Sequence, residues 1–452
     1  MSRPFNRAII PLTVFVLAAI ALSTWFSSDI RAHITAPAQP PKVDYGPPPL
    51  PRHPLYKPER LGDPTPIIDN FPLAAGAHSH QELPPIPEWN KPPRSHVTEV
   101  TPLLIGFTRN WRLLQQTVVS YLTVGWPAED IYIVENTGTM FANNKGQLSL
   151  QNPFYLNHTR LKTILGVNII QTPTLLTFAQ LQNFYIYTAG QHDWPHFYWS
   201  HMDVLALPDE NYLDADNHTF KNLYTRTVDD LRLTLSPERR DKDGAETGRW
   251  AHTFYAYDRL TLVNRTAYED VGLWDTMIPF YGTDCDMYER LTMGGYEQRD
   301  AANGLIYDVG SSLDDLLVLY RRGADGKGEL EERGAEGYAR LRQQADEMQV
   351  FKNSHEGGRN FWQGRQDGGR GEPFYRDAEG FEIGLQMTIG HGGNVMAEKW
   401  GHRGCNLRGA GLLKGSDAWR VERDWEWWDR EENREERERL EKGGWDVEKQ
   451  IG

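Results

Sequence analysis

Three short stretches of this 452-residue chain carry side chains with chemical potential. The run Tyr198-Trp199-Ser200-His201-Met202-Asp203-Val204-Leu205-Ala206-Leu207 reads as one buried strand interrupted by a histidine and an aspartate. Side chains at i and i+2 of a strand share a face, so His201 and Asp203 are expected to project together. In PFYGTDCDMYERLTMGGY, Gly282 and Thr283 make a turn and a helix is expected over 284–291, with Asp284 and Asp286 in its first turn. Leu305-Ile306-Tyr307-Asp308 ends a third apolar run in an aspartate. Hard oxygen ligands hold Mg²⁺ or Mn²⁺, and such a cation neutralises the charge of a departing anionic group. Asp203 is therefore a candidate metal ligand and Asp308 a second one. His201 suits Mn²⁺ better than Mg²⁺, or serves as a hydrogen-bond partner of the anion. A fixed carboxylate can also take the proton of an attacking hydroxyl, and Asp284 is the candidate base. Each group also has a plain structural reading. The pair at 201 and 203 can simply end a strand, Asp284 and Asp286 can cap a helix and offset its dipole, and Asp308 can precede a cap at Ser311 or Ser312.

Elements of suitable length surround these groups. Thr101–Phe107, Ile131–Glu135 and Val167–Gln171 read as strands, and Trp111–Val124 and Phe178–Ala189 as helices, ahead of the strand at 198–207. Strands alternating with helices predict an α/β domain whose mostly parallel sheet has helices on both faces. Sites in such sheets lie at the carboxyl ends of the strands, which places His201 and Asp203 at that rim.

The flanking sequence predicts an organisation around this domain. Residues 8–28, AIIPLTVFVLAAIALSTWFSS, are uncharged, and about 20 apolar residues cross a bilayer as a helix. Arg3 and Arg7 precede the run and Asp29 follows it, so residues 1–7 are expected as a cytosolic tail and the rest beyond the membrane. The alternative is a cleaved secretory signal. Residues 29–96 are proline-rich and are expected as an extended stem, with a catalytic domain at 97–320, a C-terminal extension at 321–419 and a charged helical tail at 420–452. Sequons begin at Asn157, Asn217 and Asn264. The two cysteines, Cys285 and Cys405, permit one bridge that the sequence leaves undecided. A formal net charge of −14 argues against nucleic acid as a partner.

Further motifs extend the match along the chain: Thr108-Arg109-Asn110 after the first strand, Glu135 with Asn136 after the second, and Val271-Gly272-Leu273-Trp274-Asp275 ahead of Gly282-Thr283-Asp284-Cys285-Asp286. With His201-Met202-Asp203, these resemble the motifs of inverting GT-A glycosyltransferases of the family 2 type over residues 99–320, here as a fungal-type Golgi protein of type II topology. The resemblance implies a nucleotide-diphosphate sugar as co-substrate and a glycan, glycoprotein or glycolipid as acceptor. It implies that Thr108, Arg109, Glu135, Asn136 and His201 contact the donor, and that Asp203 stands in the family's Asp-x-Asp motif with His201 replacing its first aspartate. It further implies that Asp284 is the base, that Trp274, Asp275 and Asp286 line the acceptor subsite, and that Asp308 replaces a late histidine ligand.

The Gly- and Arg-rich stretch at 355–371 can close Arg359 over a diphosphate or remain a solvated loop. His355 and His391 are weaker metal candidates. A binding protein of the same fold without catalysis, and a hydrolase or nucleotidyltransferase on a similar sheet, remain alternative functions.

Overall fold

The computed structural model describes residues 54–56, 65–214, 218–236, 249–322, 329–354, 368–407 and 414–425. The chain divides into two compact units, Met1–Asp63 and Pro64–Gly452, and the fold below is that of the second. Its elements run β1 (Leu103–Phe107), α1 (Trp111–Thr123), β2 (Ile131–Glu135), β3 (Asn168–Gln171), α2 (Phe178–Gln191), β4 (His196–Ser200) and β5 (Val204–Leu207). They continue with α3 (Leu223–Leu235), β6 (Trp250–Tyr255), β7 (Leu260–Asn264), α4 (Arg265–Asp270), α5 (Thr283–Met293), β8 (Glu297–Ala301), β9 (Leu305–Asp308), α6 (Glu336–Lys352) and α7 (Ala378–Trp400).

Seven strands form the central sheet in the order β3-β2-β1-β4-β7-β6-β8. The pairs β3·β2, β2·β1, β1·β4 and β6·β8 are parallel, whereas β7 runs antiparallel to both β4 and β6. The sheet is thus mostly parallel, as alternation of strands and helices predicts. Its centre is apolar on both faces because both are covered. Leu103, Ile105 and Phe107 of β1 enter one hydrophobic cluster and Leu104 enters the other, following the two-residue period of a strand. Gly106 in β1 leaves room for α2, because a Cβ there would collide with the Tyr185 hydroxyl and with Leu181 Cδ2. A capping box at Thr177 and Gln180 starts α2.

The sequence expectation of one strand through residues 198–207 is corrected. The chain leaves the central sheet after Ser200 and re-enters as β5, which pairs antiparallel with β9 in a separate two-stranded sheet. Residues 65–96, expected within an extended stem, instead include Phe71 and Asn70 buried against the core. Asn70 donates to the Leu313 carbonyl, and its Oδ1 accepts from Gln115.

The expectation of an N-terminal membrane-spanning helix is also corrected. Among the described residues, no helix is long and apolar enough to cross a membrane. Residues 8–28, on which the span was placed, lie outside the described residues. The single-pass type II topology and Golgi localisation rested on that helix and are withdrawn with it. Of the sequons, Asn217 lies outside the described residues, and the Asn264 amide donates to the Trp250 carbonyl.

Candidate active site

The break after β4 builds the centre of the site. Ser200 ends the strand with its hydroxyl on Tyr121 Oη and on the Arg259 carbonyl, both at 2.8 Å. The ring of His201 stacks on Trp199 with centroids 5.3 Å apart. Its Nδ1 lies 3.7 Å from Asp203 Oδ1, and its Nε2 lies 3.5 Å from Asp258 Oδ2. Burial disfavours the imidazolium, but the Asp258 and Asp203 carboxylates outweigh burial and raise its pKa to about 10. His201 therefore carries a positive charge at neutral pH. Asp258 comes from the short 3-10 turn Tyr257–Arg259 between β6 and β7, and sequence reading did not single it out. The signal available was only a polar residue at a tight turn, in Ala256-Tyr257-Asp258-Arg259.

On the other side of His201, Asp203 and Asp308 meet. Register pairs Val204 with Asp308 at the start of β5 and the end of β9, and one side chain, Lys352, reaches both the Asp203 and the Asp308 carboxylate. Lys352, the last residue of α6, is buried between them. Its Nζ is 2.6 Å from Asp203 Oδ2 and donates to Asp308 Oδ1 as well. Burial alone would raise the Asp203 pKa, but the Lys352 ammonium holds the carboxyl well below its ordinary range. This geometry tests the expected divalent cation. A cation bridging Asp203 and Asp308 would need the position the ammonium fills, and Asp203 is further shared with His201. Among the described residues, no group of three or more His, Cys, Asp or Glu side chains is arranged to hold a metal ion. The expected ligand set Asp203, His201 and Asp308 does not fit one. His391 is exposed on α7, and His355 lies outside the described residues.

Asp284 stands in the first turn of α5, after Gly282 at φ 87°, a left-handed conformation that favours glycine. Its carboxylate is half-buried. Burial raises its pKa and the charge of nearby Asp258 adds to the rise, against backbone N–H groups of the turn that lower it. Asp258 thus links two features expected separately, since it faces His201 and interacts with Asp284.

Of the other expected acceptor-side residues, Asp286 and Trp274 are enclosed and Asp275 is half-buried. Asp286 is fully buried, with Oδ2 on Arg290 Nε and Nη2 at 2.9 and 2.8 Å and Oδ1 on Trp400 Nε1 at 2.8 Å and Lys399 Nζ at 2.7 Å. It anchors α7 to α5. Trp274 is buried, edge-on to Phe178 and Tyr288. The Asp275 carboxylate pairs with Lys399 at 2.7 Å. Cys285 and Cys405 form a disulfide that ties the start of α5 to the chain beyond α7.

At the carboxyl ends of β1 and β2, Thr108 is half-buried and Arg109 is buried with its guanidinium over the Phe381 ring at 5.0 Å. Burial lowers the Arg109 pKa to about 10. Arg376 lies over the same ring at 5.3 Å, donates to the Thr137 carbonyl, and has a buried Nη1 without a hydrogen-bond partner. Glu135 is buried and saturated by Asn143 at 2.7 Å, His158 at 2.9 Å and Gln171 at 2.8 Å. Asn136 braces the loop ahead of α2, bonding both the N–H and the carbonyl of Leu176. Arg359 lies outside the described residues. The structure thus gathers His201, Asp203, Asp308 and Asp258, leaves Asp284 on α5 within reach of the charge of Asp258, and makes Glu135, Asn136, Asp286 and Trp274 internal supports.

No protein-family model and no curated protein matches the chain. Solved structures similar to it include a cytidylyltransferase from Leptospira borgpetersenii, at 11% identity and a TM-score of 0.30, covering 56% of this chain and 97% of that one. Another is a mannosyltransferase from Pyrobaculum calidifontis in complex with GDP-Man and Mn²⁺, at 12% identity and a TM-score of 0.29, covering 68% of this chain and 76% of that one. At these scores neither likeness extends to the activity of this chain.

Proposed function

We propose that the chain transfers a sugar from a nucleotide-diphosphate sugar to a hydroxyl of a glycan, glycoprotein or glycolipid acceptor, with inversion at the anomeric carbon. The observation that carries this reading is the placement of Asp284, a half-buried carboxylate in the first turn of α5, with Asp258, whose charge helps to raise its pKa, facing His201 of the charged cluster at the sheet rim. In the reaction, the acceptor O–H proton passes to Asp284 as the acceptor oxygen bonds the anomeric carbon. The bond from that carbon to the β-phosphate oxygen breaks, and the nucleoside diphosphate leaves with the electron pair. Half-buried Arg376, with buried Arg109 behind it at the ends of β1 and β2, supplies positive charge on the donor side. Trp274 is enclosed, so the acceptor ring has the exposed Tyr257 and Tyr281 as stacking surfaces beside Asp258 and Asp284.

The test pairs binding with turnover. A thermal-shift panel of UDP- and GDP-sugars, with a monophosphate CMP-sugar as control, should show stabilisation by one of the diphosphate classes and none by the control, and nucleotide release should then require an acceptor. Release without acceptor would make the chain a hydrolase, and stabilisation by none of the donors would overturn the reading.

A further inference from the structure

We infer that Lys352 is the built-in cation of this site. Its ammonium takes the place between Asp203 and Asp308 that a divalent ion would fill, and the site takes up neither Mn²⁺ nor Mg²⁺. This goes beyond the proposed transfer, because it concerns the protein's own charges and holds whatever the donor.

Lysine is almost never fully buried unless paired, and Lys352 is 4% exposed. Its three N–H donors have three acceptors on the protein, namely Asp203 Oδ2, Asp308 Oδ1 and, at 3.5 Å, the Val309 carbonyl. The side chain is also fixed at its base. Gln349, one turn earlier on α6, accepts through Oε1 from the Asp308 N–H at 3.0 Å and from Arg259 Nη1 at 2.9 Å. The last turn of α6 is thereby pinned to β9 and to the turn that carries Asp258. These contacts fix the backbone that carries Lys352, and its ammonium cannot swing clear without breaking its own bonds to Asp203 and Asp308.

Asp203, Asp308 and Asp258 face Lys352 and His201, so the protein's own cationic side chains offset all but one of the three carboxylate charges. A divalent ion bound at about 2.1–2.3 Å from Asp203 and Asp308 would overlap the ammonium. Displacing it would strand a buried lysine charge, which costs more than the pair contributes. Lys352 is thus a positioning residue that keeps Asp203 ionised and in place beside His201.

Electron paramagnetic resonance of free Mn²⁺ tests this without donor or turnover. Titrated with Mn²⁺, the wild-type chain should leave the free-ion signal unchanged. Lys352→Met, which keeps an unbranched apolar stem but ends one atom short of the ammonium and removes its charge, should remove signal equivalent to one ion per chain, and Mn²⁺ should raise its melting temperature but not that of the wild type. A folded Lys352→Met chain that leaves the signal unchanged would overturn the inference. Should Lys352→Met fail to fold, the wild type decides with Asp203→Asn as its control. Uptake of one ion by the wild type, lost in Asp203→Asn, overturns the proposal, and an unchanged wild-type signal supports it. Because donor binding is not measured, this outcome is independent of the panel that tests transfer.

Discussion

Nε2 of His201 lies 3.5 Å from Oδ2 of Asp258, across a gap between the end of β4 and the turn that joins β6 to β7. The charge of Asp258 also raises the pKa of Asp284 on α5, so one carboxylate bears on both the pair at 201 and 203 and the candidate base. Removing that charge should uncouple the two halves of the site. Asp258→Asn is expected to lower transfer while donor stabilisation in thermal-shift measurements persists, because the donor-side arginines are untouched. Equal loss of both would place Asp258 on the donor instead.

Asp284→Asn keeps the size and turn contacts of the side chain but cannot accept a proton. Donor binding should survive, and kcat should fall by about 10²-fold or more. The base works only when ionised, so the wild-type rate should fall as pH drops through its raised pKa. That acid limb should lie above the ordinary carboxylate range of about 3.9–4.3. The residual rate of Asp284→Asn should lack it.

His252 provides a stability probe away from the site. It is fully buried, its Nδ1 meets Tyr268 Oη at 2.9 Å, and burial lowers its pKa from 6.5 to about 3. The unfolded chain therefore binds a proton that the folded chain refuses between these values. Stability should be constant in this term above pH 6.5 and decline as pH falls below it, by up to about 1.4 kcal/mol per pH unit. Urea unfolding of wild type and His252→Asn between pH 7 and pH 5 should show a shallower decline in the variant.

Asp286→Ala should be a stability variant. It leaves Arg290 and Lys399 with a lost buried partner and Trp400 Nε1 without an acceptor. Removing one member of such a buried pair costs about 3–5 kcal/mol, readable as a lower urea midpoint. A normal midpoint with a raised acceptor KM would instead return Asp286 to the acceptor side.

The disulfide closes a loop across a sequence separation of 120. Replacing Cys285 and Cys405 by alanine together should cost about 2–4 kcal/mol. Because Cys285 follows Asp284, transfer should drop more than donor binding. Chemical denaturation of the oxidised and reduced wild type provides the matching control.

The sequence alone determined the local elements. β1, β2, α1 and α2 follow from hydrophobic period and caps, since each is decided by contacts within a few residues, and the mostly parallel sheet follows from their alternation. The residue types at 201, 203, 284 and 308 were legible for the same reason, as polar residues at the ends of apolar runs. Their surroundings were not. Continuous apolar character through residues 198–207 hides the break at 201, because β4 and β5 are both buried and differ only in the sheet each joins. Lys352 is 149 residues from Asp203, and nothing in Val350-Phe351-Lys352-Asn353 marks it as a partner. Whether Asp286 and Trp274 face an acceptor or the interior depends on where α7 and α2 pack. A buried carboxylate takes its role from the cation that tertiary packing brings to it, and only the fold chose Lys352 for Asp203, Arg290 for Asp286 and His201 for Asp258.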